Sequence, residues 1–171
     1  MELRTDELET PVGTLRLAVS GPLLVAVGFS DRWDRLEKWL RRRFGPVTFL
    51  MEDDPDGIGS ALGAYFRGEM DALDALPLDP GGTPFQRKVW TALRRVRAGH
   101  TTTYAQIASK IGAPKGVRAV GAANRANPIS IVIPCHRVVG SKGDLVGYGG
   151  GLERKRWLLE HESRHAFSLQ P

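Results

Sequence analysis

Residues 103–118 read Thr103-Tyr104-Ala105-Gln106-Ile107-Ala108-Ser109-Lys110-Ile111-Gly112-Ala113-Pro114-Lys115-Gly116-Val117-Arg118. Thr103 with Gln106 three residues later is a capping box, so a short helix opens at Tyr104, and Gly112 marks its end. Pro114 is expected to start a second helix running through Arg118, Val120 and Asn124. Short helix, glycine turn and proline-started helix make a helix-turn-helix pattern, with Lys115, Arg118 and Arg125 on or near the second helix to meet phosphates. An ordinary helical hairpin has the same spacing. Gly116, Ala119, Gly121, Ala122 and Ala123 weaken intrinsic helicity but let a partner approach the backbone closely, which favours a groove contact over core packing.

Upstream, Thr83-Pro84-Phe85-Gln86 is another capping box with proline at the first helical position, and Phe85, Val89, Leu93 and Val96 continue a helical stripe towards Gly99. Asp79-Pro80-Gly81-Gly82, within the loop Leu78 to Gly82, is the expected domain boundary. Before it, Leu15 to Val19 and Leu23 to Val27 flank the turn Ser20-Gly21-Pro22 as a β-hairpin. Asp31 to Phe44 sets Trp33, Leu36, Trp39, Leu40 and Phe44 near one helical face, Val47 to Met51 reads as a third strand, and Ile58, Leu62, Tyr65 and Phe66 fit a further helix. The expected architecture is α/β, with a small α/β domain over residues 1–80 and a mainly helical domain over residues 81–171.

Charge divides at the same place. Residues 1–80 hold 9 Lys+Arg and 15 Asp+Glu, net −6, while residues 81–171 hold 15 and 4, net +11. The C-terminal half is therefore the candidate polyanion binder, although a solvated basic face would have the same composition. With 171 residues and 42% hydrophobic content the chain can build a normal globular core. No stretch approaches the roughly 20 apolar residues needed to span a bilayer, and Met1-Glu2-Leu3-Arg4-Thr5-Asp6-Glu7 is too acidic and polar for a secretory signal. A cytoplasmic location, with a reduced thiol, is expected.

Downstream, residues 131–139 read Ile-Val-Ile-Pro-Cys-His-Arg-Val-Val and contain Cys135, the only cysteine. A single cysteine forms no intramolecular disulfide and no multi-thiolate zinc site, which leaves buried filler or nucleophile. The neighbourhood argues for the nucleophile: an apolar strand would carry Cys135 out of the core, Pro134 would fix the backbone there, and His136 supplies a base with a near-neutral pKa. Neighbouring side chains on extended backbone point apart, so His136 can reach the thiol only through a bent backbone or a bridging water.

From about Thr83 to Glu162 this sequence resembles the O6-alkylguanine-DNA alkyltransferases, also called methylated-DNA-protein-cysteine methyltransferases. The likeness rests on Tyr104 to Asn127, Pro134-Cys135-His136-Arg137-Val138, Tyr148-Gly149-Gly150-Gly151 and Trp157-Leu158-Leu159-Glu160-His161-Glu162. It implies a ribonuclease-H-like N-terminal domain and a single-turnover methylated-DNA-[protein]-cysteine S-methyltransferase. Such a protein repairs DNA by moving the alkyl group of O6-alkylguanine, and of O4-methylthymine, onto Cys135. The partner is double-stranded DNA met through its minor groove, and a guanine attacked at O6 has to be flipped out of the stack.

By the same resemblance Arg118 is the finger that fills the vacated stack, Tyr104 crowds the 3′ phosphate and offers its hydroxyl to guanine N3, and Asn127 supports the Cys135 segment. His136, through a water, takes the thiol proton while Glu162 orients the imidazole. Val138, Tyr148 and Gly149 line the base pocket, with Gly149 standing where other members carry serine, so the loop is expected to be looser. Without the resemblance Glu162 would be a solvated carboxylate and Asn127-Pro128 a turn. No cofactor, metal or membrane is expected, and the chain is expected to act as a monomer. The rival readings are a non-enzymatic alkyl-lesion-binding protein, against which Cys135 argues, a helix-turn-helix regulator, and a thiol hydrolase.

Overall fold

The computed structural model describes residues 1–166; residues 167–171, within the expected second domain, lie outside the described residues. The chain forms two compact units, Met1–Pro80 and Gly81–Pro171. The first is a four-stranded sheet of order β3-β2-β1-β4, with β1 Glu2–Thr10, β2 Gly13–Ser20, β3 Leu23–Phe29 and β4 Thr48–Met51. β1, β2 and β3 pair antiparallel, while β4 lies parallel to β1. The sequence reading has no counterpart to β1, so Val47 to Met51 supplies the fourth strand rather than a third. Central β1 buries Leu3 and Thr5 and leaves Glu7 and Glu9 exposed. Arg4 on this strand pairs with Glu52 and Asp56 at 3.1 and 2.5 Å.

Helix α1, Trp33–Phe44, follows a 3-10 turn at Ser30–Arg32. It lays Trp33, Leu36, Trp39, Leu40 and Phe44 against Leu3, Ala18, Val25 and Ala26. The approach is close: a Cβ on Gly28 of β3 would lie 2.3 Å from Leu36 Cδ1, so a larger residue there would force the Leu36 side chain to move. Helix α2, Ile58–Phe66, buries Ile58, Leu62 and Tyr65.

The second unit opens with α3, Pro84–Arg94, whose capping box is formed on both sides: Gln86 N–H donates to Thr83 Oγ1 and Thr83 N–H to Gln86 Oε1. The helix stops at Arg94 and does not reach Gly99, because Arg95 and Val96 turn back on Ala92 and Leu93 with shorter-range bonds. α4, Tyr104–Lys110, has the second capping box and ends in a Schellman turn: left-handed Gly112 donates to Ser109 and Ala113 donates to Ala108.

α5 is Val117–Arg125 and begins three residues later than expected. Pro114 instead sits second in the turn Ala113–Gly116, closed by Gly116 N–H to Ala113 O at 2.8 Å, a position its fixed φ suits equally well. α6 is Leu152–Ala166. Trp90 of α3 donates its indole N–H to Ala123 O of α5 at 2.8 Å, locking the two helices in the buried interior. No described helix is long and apolar enough to cross a membrane.

Candidate active site

The expected strand up to Cys135 does not form. Ile131, a β-branched residue, adopts φ +73°, a strained conformation that breaks extended pairing within the apolar run. Pro134 then has φ −81° and ψ 63° with Cys135 N–H bonded to Ile133 O at 2.8 Å, an inverse γ-turn. Cys135–Arg137 continue as a single 3-10 turn. The backbone is therefore bent on both sides of the thiol. Asn127 braces it, donating from Nδ2 to Ile133 O at 2.8 Å and accepting from Ile129 N–H at 2.9 Å. On the far side Thr102 N–H bonds Arg137 O and Val139 N–H bonds Thr102 O, tying the segment to the residues just before α4.

His136 is fully buried, and its Nε2 lies 2.6 Å from Glu162 Oε1. Glu162 reaches it because Lys155, Leu158 and Glu162 follow one another down the inward stripe of α6. Arg137 closes the cluster: Nε and Nη2 donate to the two oxygens of Glu162, each at 2.9 Å, and Nη1 donates to Val96 O at 2.5 Å. One carboxylate thus accepts from an imidazole and from both arms of a guanidinium fork.

Burial alone would push the Glu162 carboxyl up, but His136 and Arg137 together hold it far below the usual carboxylate range. An ionised carboxylate only accepts, so His136 carries its proton on Nε2 and presents the lone pair of Nδ1. Nδ1 is buried and has no hydrogen-bond partner among the described residues. Burial lowers the His136 pKa against the pull of Glu162, so the resting imidazole is neutral. Burial likewise raises the Cys135 thiol, partly offset by Asn127 and the charge of Lys155. The resting site holds a protonated thiol, a neutral imidazole and a carboxylate.

Lys155 is a buried cation whose Nζ donates to Val146 O at 2.6 Å; burial lowers its pKa. The Tyr148 ring stands edge-on to His136, centroids 6.4 Å apart, and burial together with the nearby Cys135 and Glu162 raises its phenol well above the ordinary value. Val138 is fully buried directly after the 3-10 turn. Gly149 is exposed, and a Cβ there would meet no atom within 4 Å.

A second surface lies on α4 and α5. Tyr104, half-buried at the first position of α4, faces Gly121 of α5, whose added Cβ would lie 3.8 Å from the Tyr104 ring. Lys115 in the turn, and Val117, Arg118, Ala119, Ala122 and Arg125 along α5, are exposed. Small side chains between cations leave that face open to close approach. Among the described residues no group of three or more His, Cys, Asp or Glu could hold a metal ion.

Residues 84–164 match the family model described as the DNA binding domain of 6-O-methylguanine DNA methyltransferase. The methylated-DNA--protein-cysteine methyltransferase of Salmonella typhimurium is 42% identical over 165 residues, 95% of this chain and 96% of that protein. The protein of the same name from Mycolicibacterium paratuberculosis is 43% identical over 169 residues, 97% and 94% of the two chains. The crystal structure of Mycobacterium tuberculosis OGT in complex with DNA superposes with a TM-score of 0.80 at 38% identity, covering 96% of this chain and 94% of that one. The chain belongs to the methylated-DNA--protein-cysteine methyltransferase family.

Within this member of the methyltransferase family, Cys135, His136, Glu162, Asn127, Val138 and Tyr148 gather around one bent segment, whereas Tyr104, Arg118, Lys115 and Arg125 lie on α4, α5 and the turn between them. Two cluster residues had no role in the sequence reading. Arg137 stood in the quoted motif, and its signal was a cation inside an apolar run, which demands a buried counter-charge. Lys155 lies seven residues before Glu162 on the same helix, a spacing that places both on one face.

Proposed function

We propose that this protein repairs duplex DNA by irreversible transfer of an alkyl group from O6 of guanine, and O4 of thymine, to Cys135 Sγ. The observation that carries the reading is a buried thiol beside a neutral imidazole whose far nitrogen is tied to an ionised carboxylate. In the proposed reaction Nδ1 of His136 takes the thiol proton through one water as Sγ attacks the alkyl carbon. The S–C bond forms, the O6–C bond breaks, and its electron pair stays on the base. The imidazole then returns the proton to the released guanine, which leaves carrying hydrogen in place of the alkyl group. Glu162 and Arg137 hold the imidazole in the productive tautomer, and Lys155 steadies the thiolate as it forms.

The remaining roles follow from position. Asn127 supports the bent backbone, Tyr104 meets the flipped nucleotide at the start of α4, and Arg118 fills the gap in the stack. Val138, Tyr148 and Gly149 line the base pocket. The small exposed face of α5 suits the minor groove, and Lys115 and Arg125 suit the flanking phosphates. Every group named falls between residues 104 and 162 of one chain, which supports action as a monomer. A reduced thiol fits the cytoplasm. Because a thioether offers no ready leaving route, each molecule works once.

The test is incubation with duplex DNA carrying labelled O6-methylguanine, followed by peptide mass analysis. One label per protein, on Cys135, is expected. Sustained turnover would refute the proposal in favour of the hydrolase reading, binding with no label on the protein would favour the binding-protein reading, and a label elsewhere would refute Cys135 as the acceptor.

A further inference from the structure

Residues 81–143 contain eleven Lys and Arg and no Asp or Glu. Only part of this charge lies on the helix-turn-helix face. A groove of about 720 Å³ between α3 and the end of α4 is lined by Arg87, Lys88, Thr91, Arg95, Lys110 and Ile111. An adjoining groove of about 540 Å³ adds Arg97, His100, Thr101 and Ser109 and shares Arg95 and Lys110 with the first. Arg87, Lys88, Arg95, Arg97 and Lys110 are all exposed, and none is in an ion pair with a carboxylate among the described residues.

The trough adjoins the α5 surface. Pro84 lines the first groove, and the ring of its neighbour Phe85 lies 3.8 Å from where a Cβ on Gly116 would stand, between Lys115 and Val117. Guanidinium and ammonium groups interleaved with threonine and serine hydroxyls are the donor set that grips phosphodiester oxygens. We infer that the α3/α4 trough is a second phosphodiester site, which takes the backbone of the same duplex beyond the nucleotides met by α5. This rests on the reading of α5 as the DNA-facing helix. It adds a set of contacts that involves neither the flipped base nor the thiol.

Counterion release gives the experiment its scale, since each neutralised phosphate adds about 0.9 to the slope of log affinity against log salt. The double variant Arg95→Ala, Lys110→Ala removes two exposed cations shared by both grooves. Its slope should be shallower by roughly 1.8, so that between about 50 and 200 mM salt the parent loses roughly tenfold more affinity than the variant. Arg95→Lys should keep the parent slope. Trimming the duplex on either flank of the lesion should bring parent and double variant together.

Transfer from the free O6-alkylguanine base, which carries no phosphate, reads the chemistry separately and should be unchanged in the variant. Equal slopes for parent and variant on the long duplex would overturn the inference. So would unchanged DNA binding with lost affinity for an acidic peptide, which would assign the trough to a protein partner. A shallower slope in a chain that never alkylates Cys135 would leave the trough standing and remove the proposed reaction.

Discussion

Replacing Glu162 by Gln should separate the two uses of its carboxylate. Oε1 accepts from His136 Nε2 and Arg137 Nη2, and Oε2 accepts from Arg137 Nε. An amide has one accepting oxygen. Placed at Oε1, it leaves the NH2 against the Nε–H of Arg137; placed at Oε2, it leaves the NH2 against two donors unless the imidazole moves its proton to Nδ1. That tautomer removes the lone pair meant for the thiol proton. Loss of a working general base is worth about 10²- to 10⁴-fold.

Removing the counter-charge of a buried guanidinium costs about 3–5 kcal/mol of stability besides. The assay is single-turnover transfer from O6-methylguanine duplex as a function of pH, with thermal melting to confirm that the variant is folded at the assay temperature. The deficit should be largest near neutrality and shrink as pH rises, because the thiol then ionises without help. Recovery should begin above the ordinary thiol range of about 8.5, since burial has raised Cys135. A drop of equal size at every pH would refute the reasoning and reduce Glu162 to packing. An unchanged rate would separate it from the chemistry altogether.

Further outcomes are expected from other parts of the molecule. Arg118→Ala should slow repair in duplex far more than reaction with the free base, which needs no flipping; equal losses on both substrates would count against Arg118 as the stacking finger. Gly149→Ser should fold with an unchanged melting temperature, because an added Cβ meets nothing within 4 Å, and should narrow the range of alkyl groups accepted; a range as wide as the parent's would show that loop stiffness does not set it. Acid should destabilise the second unit in two stages. The native imidazole resists the proton that the unfolded chain takes near pH 6.5, so stability falls first as pH drops through that value; the depressed Glu162 pKa adds a contribution present above about pH 4.3 and lost below it. Melting temperature measured from about pH 8 to about pH 2 should decline through both windows, and the second stage should flatten in Glu162→Gln. A melting temperature independent of pH would contradict both assignments.

The two capping boxes were legible because a Thr and a Gln three residues apart satisfy each other locally, whatever the rest of the chain does. The α1 stripe was legible for the similar reason that its period is a property of twelve consecutive residues. β1 was not legible. Its centrality depends on partners over forty residues away, and its Glu and Asp residues conceal the alternation that buries Leu3 and Thr5. The start of α5 was misplaced since Pro114 suits both the second turn position and a first helical turn, and the hydrogen bond to Ala113 decides between them. At the site, Cys135 and His136 could be singled out by type and adjacency, and Glu162 by resemblance. The bend that brings them together could not, because it hangs on a left-handed Ile131 that no propensity favours. Nor could the guanidinium clamp, which spans Val96, Arg137 and Glu162 and exists only once three distant segments have met.

Cys135 is 6% exposed and protonated at rest, and for a residue that works once this has a protective side. Peroxides, quinones and other stray electrophiles react with thiolates at the surface, and each such encounter would spend the protein without any lesion being removed. A thiol kept dormant in the interior is spared those side reactions. In the proposed reaction its reactivity is released only to a group that is delivered inside, in line with the sulfur and beside a base ready to accept the proton. Selectivity against the small electrophiles of the cell thus resides in the depth of the sulfur, while the proposed base pocket would leave selectivity among nucleobases to the walls around it.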